Sequence, residues 1–465
     1  MSVFNFINEH YNSIPEWVLR CGSRLYYLIP EKKRYGNDFY RTAQELKKVD
    51  KMSEDMIEKE INERFRKTVK HAYEHVPFYK KYYDEHGVDM SKVNGIKDIE
   101  LLPFIDKQML RENAEDMVAD DVDKNSLIYL TTSGSTGTPV GLYQPAEMTM
   151  IEWAYVLNIW GRIGYKPDSS RLVLRGKKIF AKSKDPDIFY DPLKRELSCN
   201  IYNFDSERVN RYCDAIEKYK PEFIHGYMSA IIMLAKYIEL NGRTLKHKFK
   251  GILATSENVL PDQKEYVEKI LKARVFSFYG HTERLVIAGE CEKSTSYHID
   301  PFYGYCELID NNNKHSIHGE MVATGFLNQA MPLIRYRTGD TATEDTTEEC
   351  GCGRKMMRLK SVEGRTHLDV IININGAEMP MTAFNNIHAP EFNKVIRYKI
   401  IQNQKGEATF RIQVAEGFSD KDATVIKRMM DEKADNLVNF TVEVVDSIPV
   451  QQNGKYRVVE QNIKL

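Results

Sequence analysis

The sequence predicts an α/β protein with a large N-terminal domain over residues 1–368 and a small α+β domain over residues 369–465. Short apolar runs alternate with longer helical patterns between residues 171 and 278, which is typical of a mostly parallel sheet flanked by helices. From about residue 304 the pattern changes to consecutive strands, which indicates a β subdomain. The residues after 369 alternate strands with one helix and therefore predict a separate small unit.

The composition excludes several classes of protein. A chain of 465 residues is too long for one small core. Lys and Arg number 66 and Asp and Glu number 67, so no basic field predicts a nucleic-acid partner. We expect no transmembrane segment, because no apolar run reaches the roughly 18 residues that a spanning helix needs. Seven cysteines without a secretory signal predict reduced thiols or metal ligands in a cytoplasmic protein. The oligomeric state stays open, and a homodimer is one alternative.

A helix is predicted between Ser53 and Val76. Its apolar residues recur at four-residue steps, at Ile57, Ile61, Phe65 and Val69. Ser53 is placed to cap the start, and Pro77 stops the helix at its end. The aromatic residues that follow are expected to form a wall of the core, and they are Phe78, Tyr79, Tyr82 and Tyr83.

Further along the chain, strands are predicted at residues 171–174, 223–225, 251–254 and 274–278. One helix, at 229–240, is predicted between the second and third of these strands, and another, at 261–272, between the third and fourth. Ligands of parallel α/β sheets bind beyond the carboxyl ends of the strands. We therefore expect the loops at 225–228, 255–258 and 279–283 to converge on one crevice. Later elements are predicted as strands at 305–309, 320–324, 396–402, 408–414 and 439–445 and a helix at 420–436.

The segment LTTSGSTGTPVGLYQ at residues 130–144 has an unusual composition. Between Thr131 and Gly141 it contains six Ser or Thr hydroxyls and three glycines, which do not favour a helix. Exposed backbone N–H groups beside hydroxyl donors suit a polyphosphate. The alternative is a solvated Ser/Gly linker, and composition alone does not choose between the two.

Five motifs occur in a fixed order, and they are TTSGSTGTPVG at 131–141, YGHTE at 279–283, RYRTGD at 335–340, Gly364-Arg365 followed by Asp369, and Asn453-Gly454-Lys455. In these motifs the chain resembles the adenylate-forming enzymes, which include acyl- and aryl-CoA ligases, luciferases and peptide-synthetase adenylation domains. HAYEHVPFYKKYY at 71–83 and LPFIDKQML at 102–110 resemble the phenylacetate–CoA ligase branch and its CapK-type relatives. The resemblance covers about residues 65 to 460.

The resemblance implies the reaction. A carboxylic acid attacks the α-phosphate of ATP with Mg²⁺ present, pyrophosphate leaves, and an acyl- or aryl-adenylate forms. The adenylate then passes to coenzyme A or, as the CapK likeness suggests, to an amine or hydroxyl of a sugar precursor in capsular polysaccharide biosynthesis. A nucleotide-binding relative without catalysis is a third alternative. Because two anions must meet, the chemistry depends on positioning and charge neutralisation.

The resemblance also implies roles for single residues. The phosphates are assigned to Thr132, Ser133, Gly134, Ser135, Thr136 and Gly137. The family often carries a lysine where this chain has Thr138 or Val140, so we expect a weaker grip on the phosphates. The nucleotide is assigned to Tyr279 and Gly280 for adenine, Asp340 for both ribose hydroxyls, Arg365 for ribose and phosphate, and Ser256 and Glu257 for the lining of the adenine pocket.

Catalytic roles fall to three residues by the same resemblance. Glu283 is implied to bind Mg²⁺, for which a hard carboxylate oxygen is suited, and Thr282 to contact the α-phosphate. Lys455 matches the adenylation lysine on a mobile C-terminal domain, and Asp369 matches the hinge. The acid pocket is expected to involve His225, Gly226, Tyr227 and the segment after Gly280, which suggest an aromatic or polar acid and do not identify it.

Three thiols and one imidazole form a further group, and they are Cys291, Cys350, Cys352 and His298. Cys350 and Cys352 are too close in sequence for an easy disulfide, and the donor set suits a tetrahedral Zn²⁺ site of structural type. The resemblance to the phenylacetate-ligase branch, some of whose members carry a structural zinc in this region, implies zinc here. Free thiols are the alternative.

Overall fold

The structure of the chain is a computed structural model. It describes residues 16–131, 141–175, 185, 187–201, 204–347, 349–364, 370–380, 391, 394–450 and 456–463. The chain divides into two compact units. Unit 1 comprises Met1–Pro167 and Ser277–Gly364, and unit 2 comprises Asp168–Phe276 and Arg365–Leu465. The division into domains at residue 369 stays a prediction.

Unit 1 begins with helices. The α-helices of its described part are α1 (Glu16–Leu28), α2 (Glu31–Tyr35), α3 (Asn37–Val49), α4 (Glu54–His75), α5 (Pro77–Glu85), α6 (Lys107–Glu112) and α7 (Met148–Gly161), with 3-10 turns at Met90–Lys92, Ile96–Leu101 and Lys124–Ser126. Among the described residues of the whole chain, no helix is long and apolar enough to cross a membrane.

The predicted helix between Ser53 and Val76 is α4. The Ser53 hydroxyl accepts a hydrogen bond from the Met56 N–H at 3.4 Å, and Pro77 begins the next helix. The aromatic wall is confirmed, because the rings of Phe78 and Tyr82 stack at 5.2 Å and Tyr79 is fully buried in the core of unit 1.

The strands of unit 1 form two groups. The first is the antiparallel pair β1 (Ile128–Thr131) and β2 (Gly141–Gln144). The second group comprises the end of β8 (Val275–Gly280), β9 (Ile287–Gly289), β10 (Tyr297–Ile299), β11 (Gly304–Ile309), β12 (His318–Gly325), β13 (Tyr336–Glu344) and β14 (Arg358–Gly364). Its antiparallel order is β11-β12-β13-β14-β10-β9-β8, which confirms a β subdomain.

Unit 2 contains the predicted parallel strands. Its first part comprises β3 (Arg171–Leu174), β4 (Ile188–Asp191), β5 (Glu196–Cys199), α8 (Ser206–Tyr219), β6 (Phe223–Gly226), α9 (Met228–Leu240), β7 (Gly251–Ala254), α10 (Pro261–Leu271) and the start of β8. The order is β7-β6-β3-β5-β4, parallel except for β4 at the edge. Every residue of β6 and β7 is buried, as expected for a sheet covered on both faces.

The C-terminal part of unit 2 is an α+β unit, as predicted. It comprises β15 (Val370–Ile372), β16 (Glu378–Pro380), β17 (Val395–Gln404), β18 (Glu407–Val414), α11 (Asp420–Lys433), β19 (Asn439–Val445) and β20 (Val459–Gln461). Four of these strands form a sheet in the order β19-β18-β17-β20. Its core is apolar, and Ile426 and Met430 of α11 pack there against Phe410 and Ile400.

Candidate functional site

Tyr279 and Asp340 are in direct contact within unit 1. Tyr279 lies near the end of β8 and Asp340 within β13, and the Tyr279 hydroxyl donates to Asp340 Oδ2 at 2.7 Å. Burial, with the Asp340 carboxylate beside it, raises the pKa of Tyr279 well above its ordinary value, so the phenol stays a neutral donor. Two residues that were predicted separately for adenine and ribose are thus in direct contact.

The RYRTGD segment is anchored by its arginines. The guanidinium groups of Arg335 and Arg337 lie 4.1 and 4.6 Å from the centre of the Phe104 ring. Arg335 is buried and donates to both carboxylate oxygens of Glu307, at 3.1 and 2.8 Å. A buried bidentate pair fixes its neighbours in place. We infer that these arginines position the strand that carries Asp340.

Glu283 is buried and is held by its neighbour His281. The Val286 N–H donates to His281 Nε2 at 3.3 Å, so Nε2 is unprotonated and Nδ1 carries the hydrogen. His281 Nδ1 lies 3.1 Å from Glu283 Oε2 and donates to it. The backbone thereby selects the tautomer that orients the Glu283 carboxylate. Thr282, between them, is exposed.

Arg284 connects this turn to β2. Its backbone adopts φ +57°, a left-handed conformation that is uncommon for a residue with a side chain. Its guanidinium donates to Gln144 Oε1 at 2.7 Å and pairs with Glu152 Oε2 at 2.7 Å. Burial raises the pKa of Glu152, and Arg284 opposes this shift. Gln144 is the last residue of β2, the strand that follows residues 132–140.

Sequence reasoning missed this network. The sequence does contain residues that could have suggested it. His281 and Arg284 flank Thr282-Glu283, and Gln144 ends the Ser/Thr-rich segment.

In unit 2, the loops after β6 and β7 are joined. The Thr255 N–H donates to the Gly226 carbonyl at 3.0 Å. Glu257 accepts at Oε2 from the Ser229 N–H at 2.8 Å and at Oε1 from the Ser229 hydroxyl at 3.0 Å, so its charge lies at the start of α9. Two of the three loops expected to converge therefore do so within unit 2. The third, at residues 279–283, belongs to unit 1.

The residues predicted for the acid pocket lie at the end of β6 and just beyond it. His225 and Tyr227 are buried, and the Arg175 guanidinium lies 5.6 Å from the centre of the Tyr227 ring. A Cβ at Gly226 would come within 2.5 Å of the Leu174 carbonyl oxygen, so only glycine fits there. Ser256 adopts φ +64° and its hydroxyl lies 3.2 Å from that of Thr255.

Glu257 also contacts the residue that follows Lys455. The Tyr456 N–H donates to Glu257 Oε1 at 3.1 Å, and the Arg397 guanidinium covers the Tyr456 ring at 5.0 Å. Several predicted residues lie outside the described part of the chain, namely Thr132, Ser133, Gly134, Ser135, Thr136, Gly137, Arg365, Asp369 and Lys455. Their roles stay predictions.

The cysteine and histidine cluster converges in unit 1. One ligand atom from each of Cys291, His298, Cys350 and Cys352 lies within 4.8 Å of every other. The Sγ atoms of Cys291 and Cys350 are 3.6 Å apart, close to the separation of about 3.8 Å that Zn–S bonds give in a tetrahedron. The four residues come together because of the strand order β14-β10-β9. In this order His298 of β10 lies between the segment after β9, which carries Cys291, and the segment before β14, which carries the other two cysteines.

The surroundings of the cluster suit a metal. His298 Nδ1 lies 3.2 Å from the Ser296 carbonyl oxygen and donates to it, which leaves Nε2 facing Cys352 Sγ at 3.3 Å. Burial, assisted by Arg162, lowers the pKa of His298 to about 4, so the imidazole is neutral at physiological pH. The N–H groups of Lys293 and Ser294 donate to Cys291 Sγ at 3.3 and 3.2 Å. This donor set fits a closed structural Zn²⁺ site.

We expect Cys350→Ser to abolish stoichiometric zinc binding at this cluster and to lower the unfolding temperature by roughly 5–10 °C, because a structural metal stabilises only the folded state. Metal analysis of the purified chain and thermal unfolding test this. Cys213→Ser, at a buried thiol of unit 2, is the control and leaves the zinc content unchanged. Equal zinc content in the Cys350 variant and the unsubstituted chain contradicts the assignment.

Comparisons with known proteins agree over most of the chain. The CapK C-terminal domain family matches residues 372–462. Protein CapK of Staphylococcus aureus is 25% identical over 441 residues, which span 93% of this chain and 94% of that protein. A phenylacetate-coenzyme A ligase of Thermus thermophilus is 25% identical over 372 residues, which span 77% of this chain and 81% of the relative.

Among solved structures, a 2-hydroxyisobutyryl-CoA ligase in the postadenylation state, in complex with R3-HIB-AMP, aligns with a TM-score of 0.68. The alignment covers 89% of this chain and 91% of that one at 19% identity. At this identity the likeness concerns the fold, and it confirms the predicted α/β architecture.

Proposed function

We infer that this chain activates a carboxylic acid with ATP. It is an AMP-forming ligase and belongs to the adenylate-forming family of the phenylacetate–coenzyme A ligase and CapK type. The observation that carries the proposal is the arrangement of Tyr279, His281, Glu283 and Asp340 in unit 1. The two rings lie 5.7 Å apart, and each is hydrogen-bonded to one of the two buried carboxylates. Two preorganised carboxylates beside an aromatic ring suit a nucleotide with a bound cation.

In this proposal each group has a distinct task. Asp340 accepts hydrogen bonds from the ribose hydroxyls, and the Tyr279 hydroxyl keeps its carboxylate in place. The Tyr279 ring offers an apolar face to adenine. Glu283 presents hard carboxylate oxygens, which fit Mg²⁺. When bound, Mg²⁺ neutralises charge on the phosphates.

The proposed chemistry is the formation of an acyl-adenylate and its transfer to an acceptor. A carboxylate oxygen of the acid forms a bond to the α-phosphorus of ATP, the bond from that phosphorus to the bridging oxygen breaks, and pyrophosphate leaves with the electron pair. Both reactants are anions, so Lys455 is proposed to neutralise the negative charge that builds up on the α-phosphate. An acceptor then attacks the acyl carbon, and AMP leaves.

Coenzyme A is the proposed acceptor, since several relatives are phenylacetate-coenzyme A ligases. An amine or hydroxyl acceptor, as on a sugar precursor, is the second candidate. We keep it because the relative named CapK, which is not named as a coenzyme A ligase, spans more of this chain than the ligases do, and because the CapK C-terminal domain family matches residues 372–462. A silent nucleotide-binding relative fits less well, because Glu283 and Asp340 are retained and held in place.

Exchange of labelled pyrophosphate into ATP over a panel of acids tests the proposal. The panel includes aromatic, hydroxylated and short aliphatic acids, because the residues do not identify the substrate. We expect exchange that depends on one class of acid and on Mg²⁺. The enzyme that carries the adenylate is then offered coenzyme A or an amine or hydroxyl compound, and the acceptor is the one that releases AMP. Absence of exchange with every acid favours the silent relative.

His281 is expected to act as a positioning residue for Glu283. His281→Leu removes the Nδ1–H donor, and we expect it to raise the Mg²⁺ concentration for half-maximal exchange by roughly 10- to 100-fold, as for other residues that orient metal ligands. His281→Gln retains an N–H donor and should therefore raise this Mg²⁺ concentration less than His281→Leu does. The Mg²⁺ dependence of exchange in both variants is the measurement, and an unchanged dependence in His281→Leu contradicts the role.

A further inference from the structure

We propose that His71, His75 and Asp121 of unit 1 form a binding site for a divalent transition-metal cation such as Zn²⁺. None of these residues belongs to the cysteine cluster or to the proposed adenylation chemistry. One ligand atom from each lies within 4.8 Å of the other two. The proposal does not depend on the proposed function of the chain.

The helix brings the two histidines together. His71 and His75 are four residues apart in α4 and therefore share one face, with their ring centres 5.1 Å apart. Asp121 Oδ2 lies 3.8 Å from His71 Nδ1 and 4.0 Å from His75 Nδ1. Two ligands of a tetrahedral zinc, each at about 2.0–2.2 Å, are about 3.4 Å apart. Side-chain movements of a few tenths of an ångström would shorten the two observed distances to this value.

The tautomer of His71 is the one that a metal requires. His71 Nε2 lies 2.9 Å from the Gln329 carbonyl oxygen, and since a carbonyl only accepts, Nε2 carries the hydrogen. Nδ1 is then unprotonated and directs its lone pair towards Asp121. Metal-binding histidines typically donate their second ring N–H to a backbone carbonyl in this way.

The third ligand is carried by a segment that is fixed in place. The Asp120 N–H donates to the His75 carbonyl at 2.7 Å, and the Ala119 N–H donates to the Ala330 carbonyl at 2.9 Å. These bonds tie the segment before Asp121 to the end of α4 and to the residues after Gln329. The ligand atoms are therefore near one another before a cation binds, which lowers the ordering cost of binding.

The ligand set selects the class of cation. Imidazole nitrogen with one carboxylate suits Zn²⁺, Ni²⁺ or Cu²⁺, whereas Mg²⁺ and Ca²⁺ prefer oxygen ligands. Without a cation, His75 Nδ1 donates to Asp120 Oδ1 at 3.2 Å, because a carboxylate only accepts. A cation bound at His75 Nδ1 therefore replaces this proton, and the Asp120 carboxylate adds negative charge beside it. The side chains of His75 and Asp121 are 39% and 40% exposed, so a cation reaches the site from solvent and water completes its coordination. A bound cation would link α4 to the segment at 119–121.

Zn²⁺ titration of the full-length chain by calorimetry, after removal of metal with a chelator and with Mg²⁺ in excess, tests the site. We expect the unsubstituted chain to bind Zn²⁺ at the cysteine cluster and, more weakly, at a second site. His75→Asn and Asp121→Asn should each weaken the second site at least about 10-fold, while the cysteine cluster is unaffected. Both side chains are partly exposed, so the variants should fold.

His86→Asn is the matched control, because His86 is an exposed histidine at the end of α5 that bonds the Tyr82 carbonyl at 2.8 Å. It should leave both binding events unchanged. Three results would overturn the proposal. The first is a single Zn²⁺ binding event in the unsubstituted chain, and the second is a second event that persists in His75→Asn and Asp121→Asn. The third is a second event that His86→Asn weakens as much as these two variants do.

Discussion

Glu283→Gln is expected to lower the rate of acid-dependent pyrophosphate exchange by on the order of 100-fold or more. Glutamine has the same shape as glutamate and still accepts the hydrogen bond from His281 Nδ1, so the buried turn should keep its geometry. What it loses is the negative charge that a hard cation requires. The defect should therefore concern Mg²⁺ and catalysis and should leave the unfolding temperature nearly unchanged. Exchange rates over a range of Mg²⁺ concentrations measure it.

Glu265→Gln provides the control, since Glu265 is an exposed residue of α10. It should behave as the unsubstituted chain. If Glu283→Gln retains full exchange at low Mg²⁺, Glu283 does not bind the cation and the carboxylate has a structural role.

Lys455→Ala is expected to reduce adenylation by on the order of 100-fold or more while the affinity for ATP changes little, because the lysine is proposed to act mainly on charge that develops during the reaction. The residue that follows Lys455 in sequence is held in unit 2, since the Tyr456 N–H donates to Glu257 Oε1 at 3.1 Å. Exchange rates and ATP titration by calorimetry separate the two effects.

Lys421→Ala, at an exposed lysine of α11, should leave both quantities unchanged. A Lys455→Ala variant that adenylates at the normal rate would remove the lysine from the mechanism. If Lys455→Ala instead weakens ATP binding by the same factor as it slows adenylation, the lysine acts in binding ATP and not on the transition state.

The fold was largely predictable because its strands and helices follow local patterns. The strands at 251–254 and 439–445 have the predicted bounds, and α4 begins after its predicted Ser53 cap. By contrast, α7 was not predicted. Its sequence MTMIEWAYVLNIWG is apolar on nearly all sides, and a helix that is buried on several faces has no amphipathic period to detect.

The candidate site was predictable in its motifs and not in its contacts. Tyr279 and Asp340 are 61 residues apart, and a resemblance assigns each a role without placing the tyrosine hydroxyl on the carboxylate. Arg284 and Glu152 were missed because an ion pair between distant segments has no sequence period. The cysteine cluster was predicted from its donor set alone, and its convergence depends on a strand order that sequence spacing does not reveal.

The origin of the oxygen atoms in AMP tests the central claim most directly. An acid that supports exchange is labelled with oxygen-18 in both carboxylate oxygens, and AMP is analysed by mass spectrometry after transfer to the acceptor. If the carboxylate attacks the α-phosphorus and the acceptor then attacks the acyl carbon, AMP retains one labelled oxygen. Unlabelled AMP, or formation of ADP in its place, would contradict activation through an adenylate.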